Sequence, residues 1–333
     1  MSTAPLPPLD DILATARVVA LPLAARFRGV ESREALVFEG PEGWTEFSPF
    51  VEYSDAEAAT WLAGALDFGW NPAPSPRRDA IPVNATMPAV AASEVPRILA
   101  RYDGCRTVKI KVAEAGQVLG DDVERVRAVR EAMGPEGRVR IDANGAWNVD
   151  EAERAVHALA AFDIEYVEQP CATVEELADL RERIAYLDIP IAADESVRKA
   201  ADPLRVARAG AADLLVIKAQ PLGGVHAALD IVAHAGLPAV VSSALDTSIG
   251  LSMGAALAAS LPELDYDCGL GTASLFTADV TASPLVARGG LLSLERPRPS
   301  TTDLDRVSAD DDRRDWWLDR LRRCHAALAL TRG

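Results

Sequence analysis

The chain has 333 residues, 49% of them apolar and 25% charged, with a net charge of -16. That composition excludes global disorder, and the length suits a barrel, alone or with a smaller domain, better than one simple sandwich. The acidic balance argues against a nucleic-acid partner, which draws on clustered Lys and Arg, and is compatible with metal binding. Cys105, Cys171, Cys268 and Cys324 show no C-x-x-C spacing and read as reduced thiols. The start, "MSTAPLPPLDD", lacks a basic leader and "VVALPLAA" is too short to span a bilayer, so a cytoplasmic protein without a membrane anchor is expected.

From the N-terminus, "ARVVALPL", "REALVFEG" and "GWTEFSPF" read as antiparallel strands, followed by the helical "SDAEAATWLAGALDF". The Pro-rich "GWNPAPSPRRD" marks a boundary near residue 80. Eight strand candidates follow: "IPVNATM", "TVKIKV", "RVRIDAN", "IEYVEQP", "IPIAAD", "LLVIKA", "PAVVSSA" and a short "DYDCG" at 265 to 269. Between them lie helical stretches such as "DDVERVRAVREAM", "VDEAERAVHALAAF", "TVEELADLRERIAYL", "PLRVARAG" and "GVHAALDIVAHAG". Eight strands alternating with helices predict a parallel (β/α)8 barrel over about 81–285. A terminal helix carries Trp317, Leu321, Cys324 and Leu328 on one stripe, which reads as a packing face. The expected division is 1–80, 81–285 and 286–333.

Charged residues recur at the ends of the barrel strands, where the loops of such barrels surround a common pocket. Lys109 and Lys111 point to one face of the second strand, away from Val108, Ile110 and Val112. Read alone, that pair describes a solvated edge strand. Asp142 and Asn144 end the third strand, Glu168 the fourth, Asp194 the fifth and Lys218 the sixth. The steps from Lys111 are about 31, 26, 26 and 24 residues, each near one βα unit. A single such carboxylate would be read as a helix cap. Three in register, with lysines on both sides, predict an all-oxygen site for Mg²⁺, with Mn²⁺ as a substitute. Lys111 and Lys218 then stand on opposite sides of a bound substrate, and Lys109 together with the cation is expected to depress the pKa of Lys111.

At these residues the chain resembles the enolase superfamily. The resemblance implies a modified (β/α)8 TIM-type barrel with an α+β capping domain formed by both termini. It also implies Asp142, Glu168 and Asp194 as Mg²⁺ ligands, Lys111 and Lys218 as catalytic groups, and Lys109 and Glu195 in support. Within the superfamily, "FRGVESRE", "GWTEFSPFVEY", "IPVNATMPA", "IDANGAWN", "VSSALDTSIG" and "CGLGTASLF" look like the o-succinylbenzoate synthases of menaquinone biosynthesis. That likeness implies loss of water from 2-succinyl-6-hydroxy-2,4-cyclohexadiene-1-carboxylate through an ene-diolate, a pattern of lysine base and Mg²⁺ general to the superfamily. It places Phe27 to Gly29 on a closing loop and Arg28, Asn144, Ser242, Ser243 and Gly271 near a small-molecule carboxylate substrate. The stretch "LERPRPSTTDLD" lacks the Pro-Gly-Leu-Gly type of ending common in muconate-lactonising relatives.

Three other readings share parts of this pattern. A racemase of N-acylamino acids or a dipeptide epimerase uses the same two lysines and metal. A metal-free Schiff-base aldolase has no use for three carboxylates. An inactive barrel with a binding role would lack one of these groups, and none is missing. Nothing in the pattern specifies oligomeric state.

Overall fold

Apolar residues on both faces bury the first strands on two sides, Val19, Leu21, Ala35 and Val37 joining one core and Val18, Leu36, Phe38 and Phe47 another. In the computed structural model, which describes residues 6–27, 29–199 and 202–332, a short helix α1 (Leu9–Thr15) precedes β1 (Arg17–Phe27), β2 (Val30–Gly40) and β3 (Gly43–Phe47). These form one antiparallel sheet in the order β1-β2-β3. Helix α2 (Asp55–Trp70) follows, its first turn capped by Ser54, whose hydroxyl accepts from the Glu57 amide. Trp61, Leu62 and Ala65 of α2 share a core with Leu36, Phe38 and Phe47 of the sheet.

The run "IPVNATM" forms two strands rather than the single one expected. β4 (Ala80–Pro82) pairs outside the barrel with the late strand β12 (Leu291–Ser293), and β5 (Ala85–Met87) enters the barrel. Then come α3 (Val95–Leu99), β6 (Thr107–Lys111), α4 (Leu119–Met133), β7 (Arg138–Asp142), α5 (Val149–Leu159), β8 (Ile164–Glu168) and α6 (Val174–Arg183). The second half holds β9 (Ile191–Ala193), α7 (Glu195–Arg198), α8 (Arg205–Arg208), β10 (Leu214–Ile217), α9 (Val225–Ala235), β11 (Ala239–Val241) and α10 (Ser248–Ser260). β5 to β11 make one parallel sheet of seven strands in sequential order.

The eighth candidate forms no full strand. Single parallel bridges join Cys268 to Val83 and Gly269 to Ser242, with Cys268 N donating to Pro82 O at 2.7 Å and Gly269 N to Val241 O at 2.8 Å. The ring is closed by two residues, which is all that the short "DYDCG" supplies. Inside it, Tyr166, Ala192, Leu214, Val216 and Val240 pack as one cluster. The buried Arg140 lies on the same interior face, donating to Asp267 O at 2.6 Å and pairing with Glu165. Period-two alternation carries this inward face on to Asp142, Glu168, Asp194 and Lys218. The apolar floor therefore ends in a charged mouth.

After β12, α11 (Thr301–Arg306) leads to α12 (Asp311–Arg332). Trp317, Leu321, Cys324 and Leu328 are all buried against the α2 core, so the stripe is a packing face as expected. Trp317 Nε1 donates to Glu34 of β2 at 2.7 Å, and Arg320 donates to the carbonyls of Phe50 and Tyr53. Among the described residues no helix is long and apolar enough to cross a membrane.

Candidate active site

β6 is flanked by β5 and β7 and all five of its residues are buried, which rules out a solvated edge strand for Lys109 and Lys111. Ladder register sets Lys111 opposite Asp142, and Asp142 opposite Glu168. Lys109 Nζ donates to Asp142 Oδ2 and to Glu168 Oε1, both at 2.7 Å. Lys111 Nζ donates to the same Asp142 oxygen and to Asn144 Oδ1, both at 2.6 Å. Lys218, just beyond β10, pairs with Asp194 Oδ2 at 2.5 Å. Asp194 itself lies one residue past β9 and its side chain does not cap α7.

This alternation of ammonium and carboxylate sets the charge states. Burial opposes ionisation of Asp142, yet Lys109 and Lys111 outweigh it and hold the carboxyl well below the usual range. Asp194 is lowered in the same way, its burial overcome by Lys218 and Arg198. Burial alone would lower Lys109, but Asp142 and Glu168 hold it well above the ordinary lysine value. Glu168 goes the other way, pushed up to about 7 by burial and then by the neighbouring Asp142.

Glu195 sits beside this cluster. Its Oε1 accepts from Asn144 Nδ2 at 3.2 Å and from Arg198 at 2.6 Å. Arg198 also donates to Asp194 Oδ1 and to the hydroxyl of Tyr53, both at 3.0 Å. The arginine thus ties two acids of the barrel to the sheet-and-helix unit above them. Gln169, held at φ 37°, accepts from the amides of Asp194 and Ser196 and so fixes the start of α7.

A narrow pocket opens over the cluster. Lys109, Lys111, Asn144 and Lys218 line it with Ser242 and Ser243, and Phe27 closes it from the end of β1, its ring 5.6 Å from Lys111 Nζ. Thr86, Ala244, Leu245, Gly269 and Thr272 complete the wall. Gly271, expected near the substrate, does not line the pocket: a Cβ there would meet Asn84 O at 2.7 Å, so the glycine answers to packing. Arg28 lies outside the described residues. Arg198 escaped the sequence reading, although its i+4 spacing from Asp194 on a helix was a usable signal. Thr86 and Leu245 carried none.

Asp142, Glu168 and Asp194 present only oxygen, the donor set of a hard divalent cation. Among the described residues no three His, Cys, Asp or Glu side chains stand as a ready metal cluster, the lysine ammoniums lying between the acids. Glu168 Oε2 and Glu195 Oε2 are nevertheless buried without a hydrogen-bond partner. An orphaned carboxylate oxygen on Glu168, close enough to Asp142 and Asp194 to feel their charge, fits a cation.

A capping unit over a barrel whose mouth holds lysines and carboxylates defines an enzyme of the enolase type. An enolase N-terminal domain-like model matches residues 18–69 and an enolase C-terminal domain-like model residues 92–299. The o-succinylbenzoate synthase of Mycolicibacterium smegmatis is 55% identical over 324 residues, covering 97% of this chain and 99% of that protein. That of Mycobacterium tuberculosis is 53% identical over 329 residues, covering 98% and 99%. The fold is also that of muconate lactonizing enzyme from Pseudomonas putida, with TM-score 0.72 at 20% identity over 88% of this chain and 98% of that one. The chain belongs to the o-succinylbenzoate synthase family of the enolase superfamily.

Proposed function

We propose that the chain removes water from 2-succinyl-6-hydroxy-2,4-cyclohexadiene-1-carboxylate and releases 2-succinylbenzoate, as a cytoplasmic step of menaquinone biosynthesis. The observation that carries this reading is that Lys111 and Lys218 open on one pocket with three buried carboxylates between them. The 53–55% identity to named synthases over nearly the full chain supports the substrate.

In this reading Asp142, Glu168 and Asp194 hold Mg²⁺. Bound there, the cation supplies positive charge for the substrate carboxylate. Lys111, oriented by Asn144, takes the proton α to that carboxylate and returns a proton to the departing hydroxyl, which leaves as water. The C–O bond breaks as the ring becomes aromatic. Lys218 stays protonated and stabilises the ene-diolate charge from the other side. Lys109 keeps Asp142 ionised and bridges it to Glu168, and Arg198 and Glu195 hold Asp194 and Asn144 in place. Phe27 excludes water, and Ser242 and Ser243 face the succinyl arm. Residues 81–285 form the catalytic unit, with 1–80 and 286–333 as its cover.

Product analysis tests this. The cyclohexadiene substrate should yield an aromatic product with the ultraviolet spectrum of 2-succinylbenzoate. Efficient epimerisation of N-acylamino acids with no aromatic product would overturn the assignment.

A further inference from the structure

The segment that forms one wall of the pocket is held from the capping unit by buried polar groups that the lysine and carboxylate chemistry does not use. Glu46 of β3 is wholly buried. Its Oε2 accepts from the amides of Thr247 at 3.1 Å and Gly250 at 3.0 Å and from the Thr247 hydroxyl at 2.5 Å. Its Oε1 accepts from the Ser48 hydroxyl at 2.6 Å and from Gln220 at 3.4 Å. Asp246 accepts from Ala244 N and from Gln220, both at 3.3 Å. Arg33 of β2 donates to Leu245 O at 3.2 Å and Ala244 O at 3.4 Å, and also to Ser48 O.

The backbone of 244–247 therefore finds its partners largely in side chains, and two of those side chains come from the cap. Leu245 needs them, because it sits at φ 64°, a left-handed conformation costly for a bulky residue. Its side chain lines the pocket. Two buried carboxylates around one guanidinium are a poor way to gain stability, since apolar residues of equal volume commonly do as well. Burial and Asp246 push the Glu46 carboxyl up to about 7, which is the mark of that cost. Position accounts for the cluster better than stability does.

We propose that Glu46, Arg33 and Asp246 are positioning residues through which the cap fixes the 242–245 wall, and so sets how tightly the pocket holds its substrate. This rests on the dehydration reading, so wild-type turnover of the cyclohexadiene carboxylate is measured first. Glu46→Leu removes every acceptor, whereas Glu46→Gln keeps one oxygen for Thr247 and Gly250 and can donate its amide to Ser48. For Glu46→Leu the KM should rise about tenfold with kcat changed by less than about threefold, and Glu46→Gln should recover most of the loss. Amide exchange over 242–250 should quicken in Glu46→Leu and stay near wild type in Glu46→Gln.

Arg33→Lys, which keeps the charge but loses the fork, should show the same rise in KM and faster exchange, and replaces Glu46→Leu if that variant does not fold. An unchanged KM with unchanged exchange, a fall in kcat alone, or equal damage from Gln and Leu would overturn the proposal. If the wild type does not turn over this substrate, the functional reading fails. The exchange rates still decide the clamp in that case, because they need no substrate.

Discussion

Arg125 on α4 donates Nη1 to the carbonyl oxygen of Lys111 at 2.9 Å. The same guanidinium donates to Val90 O at 2.6 Å and to Asp122 Oδ1 at 2.8 Å, while Asp122 Oδ2 accepts from Ala113 N at 3.0 Å. Ala113 stands at φ 60°, so the chain turns sharply right after the strand that presents the lysine. Arg125 is only 1% exposed, and removing it leaves the buried Asp122 without its cation and the carbonyls of Lys111 and Val90 without this donor. Arg125→Met should cost about 3 kcal/mol of stability. It should also lower kcat, because the end of β6 loses its anchor. Denaturant unfolding and steady-state kinetics check both, and a variant as stable as wild type would show the clamp to be dispensable.

The metal reading makes its own demand. Activity should disappear on chelation and return with Mg²⁺ or Mn²⁺. Glu168→Gln should weaken Mg²⁺ binding in calorimetry, since an orphaned carboxylate oxygen becomes an amide. Full activity in protein shown by elemental analysis to be metal-free would remove the ligand assignment and revive a Schiff-base mechanism, which borohydride trapping would then detect.

Lys111 and Lys218 separate dehydration from epimerisation. Lys111→Ala should lose several orders of magnitude in kcat with the fold intact, because the nearby lysine, Lys109, is occupied by Asp142 and Glu168. Lys218→Arg keeps the charge but cannot readily give up a proton. It should retain measurable dehydration and abolish any epimerisation, which needs a proton carrier on each face. Near-normal turnover by Lys111→Ala would remove it as the base.

The charged half of the site was legible because burying a lysine or carboxylate at a strand end is costly and therefore informative. Lys109, Lys111, Asp142, Glu168, Asp194 and Lys218 announce themselves by type and by βα spacing, and the structure brings all six together. Helix α10 was missed for the opposite reason. Its "SIGLSMGAALAAS" is buried on nearly every side and small-residue rich, so it carries no three-and-four stripe. The eighth strand was overread because ring closure here needs only two bridged residues. Leu245 and Glu46 fall inside stretches that carry the family resemblance, but their residue types marked no role, since the left-handed turn of one and the buried acceptor role of the other depend on segments about 200 residues apart.

Glu46 also gives a pH dependence whose sign differs from that of a salt-bridged acid. Its carboxyl rises from 4.5 to about 7 in the folded protein, through burial and then Asp246, against the opposing pull of Ser48, Thr247 and Arg33. Asp246 is raised as well, by burial, with Arg33 and Lys218 pulling it down. Between pH 4.5 and about 7 the folded chain keeps a proton at Glu46 that the unfolded chain has released, so stability from this group falls as pH rises through that window. Below the window both states are protonated and the term vanishes; above it the penalty is complete, at most roughly 3 kcal/mol. Glu46→Gln mimics the protonated form at every pH. Its melting temperature should therefore match wild type near pH 4.5 and exceed it by several degrees at pH 8. A difference that is constant with pH, or that favours wild type at pH 8, would mean that Glu46 is ionised and fully compensated by Arg33 and the amides of Thr247 and Gly250.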